Sequence, residues 1–512
     1  MMMLKKTIVI LCGFLGICVY ANKPNIVIIY TDDMGYGDVS YCNKEAKIQT
    51  PAIDSLVASG MTFTDGHSSS GICTPSRFAL LTGQHHWRRF HDIVHGFGES
   101  VFKPDDFTIA KMLKSKGYNT ACVGKWHLGW NWQAMELPTY QDNKSQRAKG
   151  KVVTRGAKYF PEDLDWSKKI PMGPTAQGFD YYFGDGTVNF PPYTWIENDK
   201  VLFVPTKMVE LSLLDTARKE GAGTLVAGPM SEEWGITKVL PSITKKAVEW
   251  INTQSADKPF FLYFALNSPH APIAPNDEYD GKSQAGPYGD FVVESDDMIS
   301  KVLGALKDKG FYDNTLIIFT ADNGSAQFLY DRQKKYGHWS SGPVRGSKRH
   351  VIEGGHRVPF IMSWKGHIKA GSVCDDVVSQ VDFAATFAEI VGYDLSKEEA
   401  QDSYSILPIL EGKDYKKPLR YATVQNTEKD GAYALRQGDW IYINQYVGAG
   451  KQYIPNGKTL NYGKKTDGLL FNLKEDIEQV NNLYEQHPEM VKEMKALLDE
   501  YISGKPTAPH AQ

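Results

Sequence analysis

Up to about residue 412, the chain alternates short apolar runs with longer segments of helical period. Asn25-Ile26-Val27-Ile28-Ile29-Tyr30 is apolar at every position after the first, the mark of a strand buried on both faces. Residues 260–266 and 315–320 repeat that pattern, and 120–123 is a shorter version of it. Helical segments fall at 51–60, 108–117, 242–252, 291–310 and 381–392. Pro51 and Gly60 punctuate the first of these, and Thr108 caps the second with Ile109, Met112 and Leu113 on one face. Strands alternating with helices predict an α/β fold with a mostly parallel central sheet flanked by helices. Between about 130 and 235 the alternation lapses into Lys-, Pro-, Gly- and aromatic-rich stretches, expected to run over the surface. After Gly412 the period shortens: 421–424, 432–436, 440–443 and 469–472 read as strands, and 488–502 as an amphipathic helix. That tail predicts a small C-terminal antiparallel sheet with one helix. The expected organisation is a leader at 1–21, a main domain at 22–412 and a C-terminal subdomain at 413–512.

The leader reading rests on Lys5 and Lys6 ahead of an apolar run from Ile8 to Tyr20, with Val19-Tyr20-Ala21 as a small-residue cleavage site. That run is short for a membrane span, so a secretory signal is expected, with a periplasmic or secreted protein and no transmembrane anchor. Leu15-Gly16-Ile17-Cys18 is a weaker match to a lipoprotein box, because Ile17 is bulky where a small residue is needed. A formal charge of -3 gives no general basic surface, which argues against a nucleic-acid partner. Once Cys12 and Cys18 leave with the signal, Cys42, Cys73, Cys122 and Cys374 remain, too few for a disulfide framework.

Candidate chemistry changes the picture most at Cys73-Thr74-Pro75-Ser76-Arg77. Pro75 suits a first helical position, Phe78 to Leu81 supply apolar turns, and Gly83 is a stop. Cys73 then lies where free backbone N–H groups favour an anion, with Arg77 one turn on. Acidic residues end two predicted strands: Asp32-Asp33 after 25–30, and Asp322-Asn323-Gly324 after 315–320. Taken singly each reads as a turn or cap. In a parallel sheet both lie at the ligand-binding edge, and an all-oxygen set suits Ca²⁺ or Mg²⁺ better than zinc. A cationic set accompanies them: Lys125 and His127 after 120–123, His270 between two prolines after 260–266, and Lys348.

Cys-x-Pro-Ser-Arg matches the maturation signature of the formylglycine-dependent sulfatases, and the other segments, including Gly178 to Gly184, resemble the same family. The resemblance spans Asn25 to about Glu411 and implies an alkaline-phosphatase-like fold. It implies that a formylglycine-generating maturation enzyme oxidises Cys73 to formylglycine. One Ca²⁺ per chain would be held by Asp32, Asp33, Asp322 and Asn323 together with residue 73. Arg77, Lys125, His127, His270 and Lys348 would surround the sulfate. The hydrated aldehyde would attack sulfur while His270 protonates the leaving oxygen. His127 would then help re-form the aldehyde and expel sulfate.

For the substrate, the 85–89 and 188–195 segments suit a sulfated carbohydrate, with Trp87, Arg88, Asn189 and Tyr193 as candidate contacts. They resemble bacterial sulfatases acting on galactose or N-acetylgalactosamine in mucin-type glycans and glycosaminoglycans. The resemblance favours 6-O removal, but Asn189 stands where several relatives carry an acid, and that departure keeps 3-O and 4-O removal as alternatives. A phosphodiester or phosphonate hydrolase is the nearest rival. Its usual two-zinc form is disfavoured because none of the 13 histidines has Asp four positions before it. A catalytically silent glycan-binding protein is the reading if Cys73 stays a thiol.

Overall fold

The computed structural model describes residues 23–149, 158–209, 225–427, 430–445 and 467–512. The leader at 1–21 lies outside the described residues. A ten-stranded sheet forms the centre. Its middle five strands are parallel neighbours, in the order Thr315–Ala321, Asn25–Thr31, Phe260–Ala265, Asn119–Gly124 and Tyr181–Gly184. Beyond Thr315–Ala321 come Phe360–Ser363, Met61–Phe63 and Ser372–Cys374; beyond Tyr181–Gly184 come Ile196–Glu197 and Lys200–Val201. Phe360–Ser363 runs antiparallel to both its neighbours, as does Ile196–Glu197. These outer strands are two to four residues long, too short to stand out as apolar runs in the sequence.

Alternation along the first strand feeds two cores. Ile26, Ile28 and Tyr30 face a layer with the helices Cys73–Thr82, Ile109–Ser115 and Phe383–Val391. Val27 and Ile29 face Pro51–Ser59, Ile236–Asn252 and Gly286–Asp308. Both faces are covered, which is why the strand carries no polar alternation.

Several helix boundaries differ from expectation, two of them around a proline. The Cys73–Thr82 helix begins at Cys73 itself, so Pro75 sits at the third position, where its missing N–H still has no intrahelical partner to lose. The Ile236–Asn252 helix starts six residues before the expected 242 and runs through Pro241. The carbonyl of Thr237, which Pro241 cannot bond, accepts instead from the Asn276 side chain at 3.0 Å.

The C-terminal sheet is antiparallel in the order Thr423–Asn426, Tyr433–Gln437, Trp440–Ile443, Leu469–Asn472. One face packs on the helix Pro488–Ile502 through Leu435, Tyr442, Leu470, Met494 and Leu498. The other buries Ile441, Ile443 and Phe471 against Val351 and Ile352 of the main domain, three and four residues beyond Lys348. The four cysteines of the described residues are free thiols.

Candidate active site

Each of the five parallel strands ends in polar residues at the same edge of the sheet. Asp322 and Asn323 follow the first in spatial order, Asp32 and Asp33 the second, His270 the third, Lys125 and His127 the fourth, and Asp185 the fifth. Main-chain bonds tie these ends together: Asp322 N to Thr31 O at 3.0 Å, Asp32 N to Ser268 O at 3.0 Å, Lys125 N to Ala265 O at 2.7 Å. Gly124 permits the last of these. Its φ is +112°, and a Cβ there would lie 1.9 Å from Ala265 O. Asp33 and His127 also have left-handed backbones, φ 61° and 53°, a strained state for side-chain-bearing residues that concentrates at functional sites.

Cys73 sits at the helix start facing this edge, only 2% exposed. Its sulfur lies 3.2 Å from Lys348 Nζ and 3.8 Å from Asp32 Oδ1. Lys348 Nζ also donates to both oxygens of Asp33, at 2.7 and 3.0 Å. Lys125 Nζ pairs with Asp32 Oδ2 at 2.5 Å. Arg77 is fully buried and bound to Asp322 Oδ2 at 2.8 and 3.1 Å, with further bonds to Lys125 O and Tyr263 Oη. Ligand atoms of Asp32, Asp33, Cys73 and His270 all lie within 4.8 Å of one another. The ten expected catalytic and metal residues therefore occupy one site.

The electrostatics are uneven. Burial works to raise Asp33, but the charge of Lys348 and the bonds from Lys348 and Asn323 hold it well below the usual carboxylate range. Asp322 is instead pushed up to about 6 by burial and by Asp32, against Arg77 and Lys125. The Cys73 thiol is driven up to about 12, mainly by burial, so the unmodified residue is a poor nucleophile.

Both histidines have readable tautomers. His127 Nε2 meets the Val94 carbonyl at 2.8 Å, so it carries the proton and leaves Nδ1, which is buried and unpartnered, as a bare lone pair. His270 Nδ1 donates to Ala271 O, leaving Nε2 facing Asp33 Oδ2 at 3.7 Å. Burial and Lys348 push His270 down to about 3, and burial with Lys125 pushes His127 well down as well. Both imidazoles rest neutral.

The expected substrate contacts fare differently. Trp87 and Arg88 are not brought to the site: Arg88 grips Asp402 at 2.7 and 2.8 Å, stacks 4.6 Å over Trp87, and bonds Lys505 O. Trp87 itself joins the C-terminal core. These residues pack against the C-terminal sheet and helix. Tyr193 is buried, with its hydroxyl facing the carbonyls of Asn189 and Val226. Asn189 is half-buried and accepts from Thr187 at 3.1 Å. Asp185 was not among the candidates, because the short strand ahead of it gave no apolar run to mark its place.

A parallel α/β sheet whose carboxyl edge gathers acids, lysines and a cysteine at a helix start defines a hydrolase of anionic esters. More narrowly, the chain belongs to the sulfatase family, whose profile matches residues 24–393. A profile for the C-terminal region of N-sulphoglucosamine sulphohydrolase matches 346–504. The chain is similar to an N-acetylgalactosamine-6-O-sulfatase of Bacteroides thetaiotaomicron, at 31% identity over 94% of this chain and 93% of that one. Human N-acetylgalactosamine-6-sulfatase is 30% identical over 78% of this chain and 68% of its own length. A solved Bacteroides thetaiotaomicron structure, from work on the metabolism of multiple glycosaminoglycans, superposes with a TM-score of 0.76 at 29% identity. It covers 94% of this chain and 100% of that one. The protein is a sulfate ester hydrolase. No helix among the described residues is long and apolar enough to cross a membrane.

Proposed function

We propose that this sulfatase hydrolyses 6-O-sulfate esters of N-acetylgalactosamine or galactose in mucin-type glycans or glycosaminoglycans, with formylglycine at position 73. One arrangement carries the reading: the Cys73 sulfur, at the start of a buried helix, sits between Asp32 and Lys348. The names of the relatives favour N-acetylgalactosamine and position 6.

The residues present fit a hard cation, and Ca²⁺ is the ion proposed. Asn323 Oδ1 is buried with no hydrogen-bond partner among the described residues, while its Nδ2 is fixed by a 2.7 Å bond to Asp33. With the carboxylates of Asp32, Asp33 and Asp322 it completes an all-oxygen donor set. When bound, the ion supplies fixed positive charge for the sulfuryl oxygens, and formylglycine supplies a hydrated aldehyde as nucleophile.

The chain's own groups do the rest. Lys125 and Lys348 each carry an ammonium group able to turn from its carboxylate partner toward the sulfate oxygens. Arg77 anchors Asp322 and supports the site from below. His127 offers Nδ1 as the proton acceptor. His270 lies at the mouth, where its side chain and that of Lys348 are each 12% exposed. A sulfate anion beside Nε2 favours the protonated ring, which then delivers its proton to the departing sugar oxygen. The 1–21 leader supports export. The proposed partners are a sulfated carbohydrate and a formylglycine-generating enzyme.

The test is sulfate release from matched 6-O-, 4-O- and 3-O-sulfated saccharides, with mass spectrometry of the peptide holding Cys73. The expected result is an aldehyde at residue 73 and at least about a tenfold preference for the 6-O-sulfate. Aldehyde-bearing protein that releases no sulfate from any of these sugars overturns the substrate class. Full activity with an intact thiol overturns the nucleophile.

A further inference from the structure

Thr74 fills the open position of the Cys-x-Pro-Ser-Arg signature, and the mechanism above gives it no task. It is fully buried in the first turn of the Cys73–Thr82 helix. Thr82, at the other end of that helix, turns its hydroxyl back to Phe78 O at 2.8 Å, a local bond. Thr74 reaches outward instead. Its Oγ1 donates to His127 O at 2.8 Å and accepts from Val94 N–H at 3.1 Å. His127 Nε2 in turn donates to Val94 O at 2.8 Å. Thr74, His127 and Val94 thus close a ring of three hydrogen bonds, each donor matched to one acceptor.

That ring supplies what a proton acceptor needs. The His127 backbone is left-handed, at φ 53°, a state that the surrounding structure must hold. Gly186 O holds its N–H at 3.1 Å, and Thr74 holds its carbonyl. Val94 lies in 91–98, a stretch outside the helices and strands, so no ladder aims its carbonyl at the imidazole. The bond from its N–H to Thr74 does so. Which nitrogen of a histidine keeps the proton is set by the hydrogen bond the other one makes. With Nε2–H spent on Val94, Nδ1 is left as the lone pair; without that acceptor the proton is free to sit on either nitrogen. Thr74 directly follows residue 73, so one side chain sets the acceptor's place relative to the nucleophile.

We propose that Thr74 is a positioning residue, holding His127 in the tautomer and place from which Nδ1 takes a proton at residue 73. The proposal rests on the sulfatase reading and deepens it at one step, the one after the leaving group has gone. Thr74→Val is the informative variant: it keeps the side-chain shape but can neither donate to His127 O nor accept from Val94. Thr74→Ser keeps both bonds. Losing the partner that orients a working histidine corresponds to roughly a 10–100-fold change.

The experiment follows 4-nitrophenyl sulfate turnover by rapid quench, with rates expressed per residue-73 aldehyde counted by mass spectrometry. The expected result for Thr74→Val is a first turnover within about threefold of wild type, then a steady-state kcat lower by about 10–100-fold. Thr74→Ser should return kcat to within about threefold of wild type. A packing role predicts the reverse order, since valine keeps the side-chain volume and serine loses a methyl. Equal losses in the first and later turnovers, or a Thr74→Val kcat within about twofold of wild type, overturn the proposal. Wild type that lacks the aldehyde, or turns over no sulfate ester, overturns the sulfatase reading and the proposal with it, before any variant is compared. Where thermal unfolding shows that Thr74→Val does not fold, Thr74→Ala carries the same prediction.

Discussion

Two of the places where the molecule buries charge treat the same residue types differently. Where the C-terminal segment packs on the rest of the chain, buried carboxylates pair with cations. Asp402 receives Arg88, and Asp65 receives Arg357 at 2.7 Å, Arg436 at 3.1 Å and His67 at 2.6 Å. Burial works to raise both acids, yet His85 and Arg88 beside Asp402, and Arg357, His67 and Arg436 beside Asp65, hold them far below the ordinary range. At the sheet edge three carboxylates crowd one another, and Asp322 is driven the other way, to about 6. Burial is equal in the two clusters. What differs is how many acids share one point. Cations close on the acids in both clusters, but at the sheet edge three acids converge and Asn323 Oδ1 has no hydrogen-bond partner among the described residues, which leaves oxygen donors for a cation.

The comparison is broken most severely at residue 73. Cys73→Ala should lower turnover on the order of 10⁴–10⁶-fold while leaving thermal unfolding nearly unchanged, checked by sulfate release and calorimetry. His270→Ala separates roles within the site. It should cost about 10²–10⁴-fold in kcat/KM on a sugar sulfate, but far less on 4-nitrophenyl sulfate, whose phenolate leaves without a proton. His127→Ala should instead allow a first turnover and then stall with either substrate, which a rapid-quench trace will show.

The C-terminal contact should answer in stability. Arg88→Ala leaves Asp402 buried with half its charge unpaired. It should cost about 3–5 kcal/mol on unfolding while kcat/KM of the folded enzyme stays within about twofold. The smallest effect near neutral pH comes from the buried histidines. Burial pushes His85 and His356 down to about 4 and His86 to about 3. Folded, they stay neutral, whereas the unfolded chain takes protons below about 6.5. Their contribution is complete above that pH and is lost as pH falls toward 4, which denaturant titrations across pH 4–8 will follow.

The contrast also explains what the sequence disclosed. The long parallel strands were legible because burial on both faces leaves an unbroken apolar run, and each one announced the polar residues at its end. Asp32, Asp322, Lys125 and His270 were therefore placed correctly on one edge. Tyr181–Gly184 is four residues long, so Asp185 had no such herald. Trp87 and Arg88 showed the opposite failure. An aromatic beside an arginine looks the same whether it faces a sugar or the protein's own interior, and Asp402, 314 residues away from Arg88, decides which. The Cys73 helix was found with its start two residues late, because Pro75 fits any position of a first turn.

The central claim is that acid crowding at the sheet edge makes a divalent-cation site. Thermal unfolding of chelator-treated protein, with and without Ca²⁺, tests it on wild type, Asp322→Asn and Arg88→Ala. Ca²⁺ at about 100 times its Kd should stabilise wild type by about 2.7 kcal/mol. Arg88→Ala should gain the same increment from its lower baseline, and Asp322→Asn should gain little. An equal gain in Asp322→Asn and wild type, or none in wild type, would contradict the account.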